Sequence, residues 1–313
     1  MKWVSLIFLS VLALPARAAD RDVLRVFPVS PGCQLKVEFF SGAITVDEAD
    51  VAEVRVEAHF EINSEVEAAA ERLIATLNFT ASAEGNTVTV RASDPTGKGV
   101  RLTLREGPRL KLDCRILVPR RCDVDLRTLD GAINVGSLAG RVVARTTKGN
   151  ISVRRIDGSV EAQTQSGEII VSRCSGALVA RTQGGLIRAG TIGGRAELHN
   201  AGGDIEVFAA MGGLDAVAEA GDVTANFPKS LSADARIKTA YGSITAKIDP
   251  ALDCSVEASS FWGRVNLKLP LAIDSGGDGT GKLTGRLNRG GVRITLYANG
   301  GHVTIVPGET LFN

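Results

Sequence analysis

A glycine stands at position 131 and at every ninth residue from there to Gly221. A period this short dictates a repeat architecture, because no single unit can bury a core by itself. The full cycle is eighteen residues, since alternate glycines open different segments. One set opens "GAINV", "GNISV", "GEIIV", "GLIRA", "GDIEV" and "GDVTA". The other opens "GRVVA", "GSVEA", "GALVA", "GRAEL" and, shifted by one, "GLDAV". Within each segment apolar residues alternate, as in Ile151 and Val153 or Val160 and Ala162. Period two is the signature of a strand with one buried face.

About five strand residues in a nine-residue unit leave about four to change direction. Glycine at the corner supplies positive φ without steric cost. Thr128, Thr146, Thr164 and Thr182, then Asn200, also fall eighteen apart, and stacked identical polar residues can form hydrogen-bonded ladders. The expected fold is an all-β, parallel β-solenoid with two-strand coils of about 18 residues. The rival is an antiparallel meander with one strand per nine residues. The eighteen-residue matches, the Thr slot above all, favour the solenoid. After Gly221 the spacing loosens to 21, 21 and 27, while "GSITAKI", "GRVNLKL", "GVRITLY" and "GHVTIV" keep the pattern.

Composition agrees with stacked layers. The 313 residues are 44% hydrophobic but only 4% aromatic, with 35 glycines, which suits a core of small aliphatics. The net charge of +1 leaves no electrostatic footprint for nucleic acid. The chain opens "MKWVSLIFLSVLALPARAAD". One Lys, an apolar run from Trp3 to Leu14 and a small-x-small box predict a signal peptide over residues 1–18. The run is short for a membrane anchor, and no later segment is apolar enough to span. Export to the periplasm, the cell surface or the medium follows. Loss of Lys2 and Arg17 would take 36 basic residues to 34 against 35 acidic, a mature charge of −1.

The five cysteines are Cys33, Cys114, Cys122, Cys174 and Cys254. An odd number leaves at least one outside any intramolecular pairing. Cys33 alternates with Leu35 and Val37, and Cys114 with Leu112 and Ile116, so both read as small core residues. Cys114–Cys122, across the turn at Pro119, is the best disulfide candidate. No zinc spacing occurs.

Residues 19–128 differ from the 129–313 solenoid and read as an N-terminal β-rich capping region. It holds alternating strands such as "VAEVRVEAHFEI" and one copy of the repeat in "SGAITV". It also holds the one convincing helix, in "NSEVEAAAERLIATL". There Val66, Ala70, Leu73 and Leu77 share a face, with Asn63 or Ser64 as cap. Such a region would cover the open edge of the solenoid. Together, "SGAITV", "CRILVPRRCDVDLRTLDGAINV", "RTTKGNISV" and the terminal "GGVRITLYANGGHVTIV" resemble the DUF4097 family of bacterial adhesins built from β-strand repeats. The phrase from "VPRRC" to "GAINV" is the most specific part. The resemblance implies an exported β-solenoid and suggests adhesion. It supplies no catalytic residues.

Nothing in the sequence reads as an active site. No nucleophile elbow, P-loop or HExxH occurs. His199 falls in the outward slot that Arg145, Gln163 and Arg181 hold in earlier coils, a solvated position. Calcium-binding nonapeptides also have period nine, but here Asp204 and Asp222 stand without the third glycine or the Asp ladder. "DSGGDGTG" has the wrong spacing for an EF-hand. No cofactor, metal or catalytic residue is expected. One surface pattern remains: Arg127, Arg145, Arg181 and Lys238 each lie four residues before a corner glycine. Such a stripe could bind an anionic polymer, envelope glycan or lipid headgroups. The plainer reading is a solvated face, with Glu161 and Glu168 nearby. The expected function is a non-enzymatic, monomeric scaffold, an adhesin that binds a polymer or protein at the cell envelope or surface. The alternative is a regulatory component of an envelope-stress sensing system, acting through a partner. A carbohydrate-active enzyme would need clustered carboxylates, and strand alternation places them singly.

Overall fold

A computed structural model describes residues 19–63, 78–93 and 109–308. Over these residues the chain is all β, in one sheet of 13 strands and one of 14 that enclose a single aliphatic core. The expected signal peptide lies outside the described residues, as does the expected helix over residues 63–77 except for Asn63, which ends the strand Glu53–Asn63. Among the described residues there is no helix, and so none long and apolar enough to cross a membrane.

Through the regular repeat, successive strands alternate between the sheets. The first, sheet I, contains Ile151–Ile156, Ile169–Cys174 and Ile187–Ile192. The second, sheet II, contains Val142–Lys148, Val160–Gln163 and Leu178–Thr182. Each strand pairs in parallel with the one eighteen residues on: Ile151 with Ile169 and Ile169 with Ile187, Val142 with Val160 and Val160 with Leu178. This register is that of a solenoid; a meander would pair neighbours antiparallel. Ile169 and Val171 are buried and Ile170 between them is half-buried, so the period-two pattern is realised as read. Each buried Ile or Val contributes about 1.5–3 kcal/mol.

One expectation about the corners holds only at alternate glycines, and another is corrected. Positive φ does occur at Gly149 (140°). At Gly158 φ is not positive, yet a Cβ there would lie 2.1 Å from the Gly140 carbonyl oxygen. Glycine is needed at that corner because one rung rests on the next. The Thr slot is not a ladder of side chains either. Thr146 Oγ1 donates to Gly131 O at 3.0 Å, Thr164 to Gly149 O at 3.1 Å and Thr182 to Gly167 O at 3.1 Å. Asn200 Nδ2 does the same to Gly185 O at 2.8 Å. Each buried polar side chain clamps its rung to the glycine corner of the rung before.

Both ends of the stack depart from sequence order. The rung formed by Cys33–Phe39 and Ala43–Ala49 lies between two others. On one side are Thr87–Ser93 and Arg109–Pro119, on the other Cys122–Asp130 and Ile133–Val135. At the far end, Val292–Ala298 and Val303–Pro307 slot between Ala235–Tyr241 with Ile244–Ile248 and Cys254–Ser260 with Val265–Leu267. The two sheets therefore run without a break through residue 128. Antiparallel strands close the stack: Glu53–Asn63 and Ala19–Pro28 on sheet I, Asn78–Glu84 on sheet II at the same end, and Lys282–Leu287 with Ala272–Gly276 at the other. Covering parallel edges in this way removes a template for aggregation.

The same topology overturns the Cys114–Cys122 pairing. After Pro119 the chain does not turn back as a hairpin; it crosses to sheet II past the inserted rung. Cys114 pairs with Ile44 and Ala58 in sheet I, and Cys122 pairs with Cys33 in sheet II.

Candidate functional site

The register of sheet II brings the four predicted basic residues into one outward column. From rung to rung it reads Arg127, Arg145, Gln163, Arg181, His199, Val217, Lys238 and Tyr297. Two residues earlier on the same strands lies a column that includes Asp125, Glu161, Glu197 and Asp215. The two columns neutralise each other at the N-terminal end. Arg127 meets Asp125 at 2.9 Å, and Arg145 meets Glu161 at 2.5 Å. The hydrogen bond from Arg127 to Asp125 raises the guanidinium pKa above its ordinary value. Arg141 also reaches Glu161, at 3.3 Å. Exposed pairs like these contribute about 0–1 kcal/mol to stability, but they leave little free charge for a ligand. A cleft of about 540 Å³ adjoins Arg91, Arg127 and Arg145 beside Phe39 and Leu129, and all three arginines are paired, Arg91 with Glu38 at 3.5 Å. Among the described residues no carboxylate lies within ion-pair distance of Arg181 or Lys238.

Lys238 leads to a feature that the sequence reading missed. Tyr241, Phe261 and Trp262 are 76%, 68% and 77% exposed, and Tyr297 is 41% exposed. Beyond Trp3, these include every Trp and Tyr of the chain. The corner glycines bring them together. Tyr241, Gly300 and Trp262 each precede one, namely Gly242, Gly301 and Gly263. Those three corners stack: a Cβ on Gly301 would lie 2.3 Å from Gly242 O, and one on Gly263 2.3 Å from Gly301 O. Tyr241 and Trp262 thus stand two strand spacings apart, about 9.6 Å, with the bare backbone of Gly300 between them. Earlier rungs carry Ala220, Gly202 and Gly184 in this slot, so the aromatic substitution was the available signal.

The corner is held by its backbone. Asn299 N donates to Thr239 O at 3.0 Å, and Trp262 N donates to Asn299 O at 3.0 Å. The Phe261 and Trp262 rings meet edge to face at 5.0 Å. Across sheet II, Lys238, Tyr297, Ser259 and Lys282 form one row. Aromatic faces here can stack on the C–H faces of sugar rings, and the two flanking ammonium groups can meet anionic substituents.

The remaining chemistry-bearing groups are scattered. His199 lies 3.9 Å from Glu219 on the surface. No group of three or more His, Cys, Asp or Glu suited to a metal occurs among the described residues. All five cysteines are buried. Burial pushes the Cys114 thiol up to about 12 and Cys254 to about 11. Cys33 and Cys122 are in contact, Sγ to Sγ 2.9 Å.

The model of the family described as Toastrack DUF4097 matches residues 184–306. The phrase from "VPRRC" to "GAINV" lies outside that span. No curated protein matches the chain. Similar solved structures include one from Bacteroides fragilis described as a "putative adhesin", 13% identical with a TM-score of 0.44, covering 91% of this chain and 97% of that one. Another, from Parabacteroides distasonis, is described as a "putative lipid binding protein"; it is 13% identical with a TM-score of 0.46, covering 90% and 96%. A third, a "putative adhesin" from Parabacteroides merdae, is 9% identical with a TM-score of 0.38, covering 91% and 96%.

Proposed function

With residues 184–306 belonging to the Toastrack family (DUF4097), we propose that the chain is an exported, non-enzymatic scaffold. Its C-terminal corner binds an anionic sugar polymer at the cell envelope or surface, as an adhesin would. The observation that carries this reading is that Tyr241, Phe261, Trp262 and Tyr297 are all exposed on adjoining rungs, with Tyr297 next to Lys238, which has no carboxylate partner among the described residues. A chain that is 4% aromatic has little such surface to spare. Arg181 extends the positive charge along the column, while Arg127 and Arg145 are held by carboxylates.

The test is binding of the purified chain to acidic and neutral polysaccharides, measured by calorimetry over a range of salt. Binding should favour the acidic polymers and weaken as salt rises. Trp262→Ala should weaken it about tenfold, and Lys238→Ser several-fold, with little change in melting temperature. Arg127→Ser should leave it nearly unchanged. Binding that ignores salt and survives Trp262→Ala would overturn the proposal, as would no binding to any polymer.

A further inference from the structure

We propose that Cys33 and Cys122 form a disulfide that locks the out-of-sequence rung of residues 33–49 onto the first rung of the repeat. The two residues are direct partners in a parallel strand pair whose register runs unbroken from Cys33–Cys122 to Phe39–Thr128. Their sulfurs are 2.9 Å apart, and both side chains are buried, 0% and 1% exposed. Neighbouring parallel strands are about 4.8 Å apart, within the Cα separation that a disulfide spans. No hydrogen bond joins any other two of the five cysteines. The pair also sits where a cross-link has the most to hold. Residues 33–49 pair with residues 122–135 across a long excursion of chain, and the bridge would join positions 89 apart in sequence.

The chemistry is thiol–disulfide exchange and needs a disulfide-donating oxidant, R–S–S–R. The inference rests on the export reading for that oxidant, since exported proteins meet one. Cys33 loses its proton to solvent and attacks one sulfur of the oxidant; R–S⁻ leaves, giving a mixed disulfide. Cys122 then loses its proton and attacks the Cys33 sulfur, and the second R–S⁻ leaves. The protein loses two S–H bonds and gains one S–S bond, while the oxidant is reduced to two R–SH. Burial of both sulfurs means that exchange occurs while the rungs are parting or closing.

The full chain should be refolded from denaturant with oxidised glutathione, then unfolded and alkylated. Three of five thiols should remain, and non-reducing peptide mapping should show one bridge, Cys33 to Cys122. Oxidised protein should melt roughly 10 °C above reduced protein, from the size of the closed loop. Cys33→Ala and Cys122→Ala should each abolish the difference, and Cys114→Ala should keep it. Five reactive thiols, or a bridge between another pair, would overturn the assignment, and a bridge without a melting shift would overturn its locking role. Cell fractionation tests export separately. Protein retained in the cytoplasm that still forms the bridge on refolding would sink the export reading alone.

Discussion

Gly158→Ala tests whether rung-on-rung contact fixes the corner glycines. The added Cβ would sit 2.1 Å from Gly140 O and 2.7 Å from Gly140 C, where ordinary contact begins at 3.4 Å. Both are backbone atoms, so no side chain can swing aside. The two rungs must part locally by about 1.3 Å, against a strand spacing of about 4.8 Å. The nearest bonds between these rungs are Asp157 N to Leu138 O at 2.8 Å and Val142 N to Ser159 O at 2.9 Å. Losing both costs about 2 kcal/mol, and overpacking strain adds about 1–3 kcal/mol. The total, about 3–5 kcal/mol, corresponds to a fall in melting temperature of about 5–8 °C in a chain of this size. Gly184→Ala is the matched control. Its nearest neighbour would be Gly202 O at 3.9 Å, and its φ is not positive. It should be neutral or gain up to about 1 kcal/mol from a less flexible unfolded chain. Thermal unfolding followed by far-UV circular dichroism reads both. Equal melting temperatures for the two variants would refute the steric argument.

Ile169→Asp should be severely destabilising, by several kcal/mol, because the carboxylate would enter a fully buried site with no partner. The adjacent outward change, Glu168→Ala, should cost about half a kcal/mol or less, and similar denaturant midpoints for the two would contradict the strand phase. Thr164→Val removes the buried hydroxyl that donates to Gly149 O at 3.1 Å and should cost about 1–3 kcal/mol. Thr164→Ser keeps the donor and should retain most of that stability; if it melts with the Val variant, the clamp is not the hydroxyl.

The repeat itself was legible because glycine spacing and strand alternation are local properties. Ile151, Ile169 and Ile187 stack as the eighteen-residue period requires, and the column from Arg127 to Lys238 forms for the same reason. What spacing could not convey was what each slot touches. Thr164 reaches a carbonyl on the rung below, a contact set by the path of the corner. Asp125 and Glu161 neutralise Arg127 and Arg145 from a neighbouring column; the sequence reading put Glu161 near the stripe, but spacing alone could not pair it with Arg145. The inserted rungs were illegible for a stronger reason. Residues 33–49 and 292–307 carry the same strand pattern as every other rung, so nothing local distinguishes stacking in order from stacking out of order. Cys33 and Cys122 become neighbours only through that choice.

The choice also decides what the C-terminal corner can hold. Were the rungs stacked in chain order, the Tyr241 and Trp262 slots would be adjacent, about 4.8 Å apart, and the two rings would cover each other's faces. Inserting residues 292–307 separates them by one rung and places Gly300, which has no side chain, in the gap. The same insertion puts Tyr297 directly beside Lys238, with Ser259 and Lys282 beyond it. The aromatic faces are therefore held open by topology, since a later rung enters between two that precede it in the chain. A corner assembled in this way is complete only when residues 292–307 have docked, so the proposed binding would require closure of the solenoid's end.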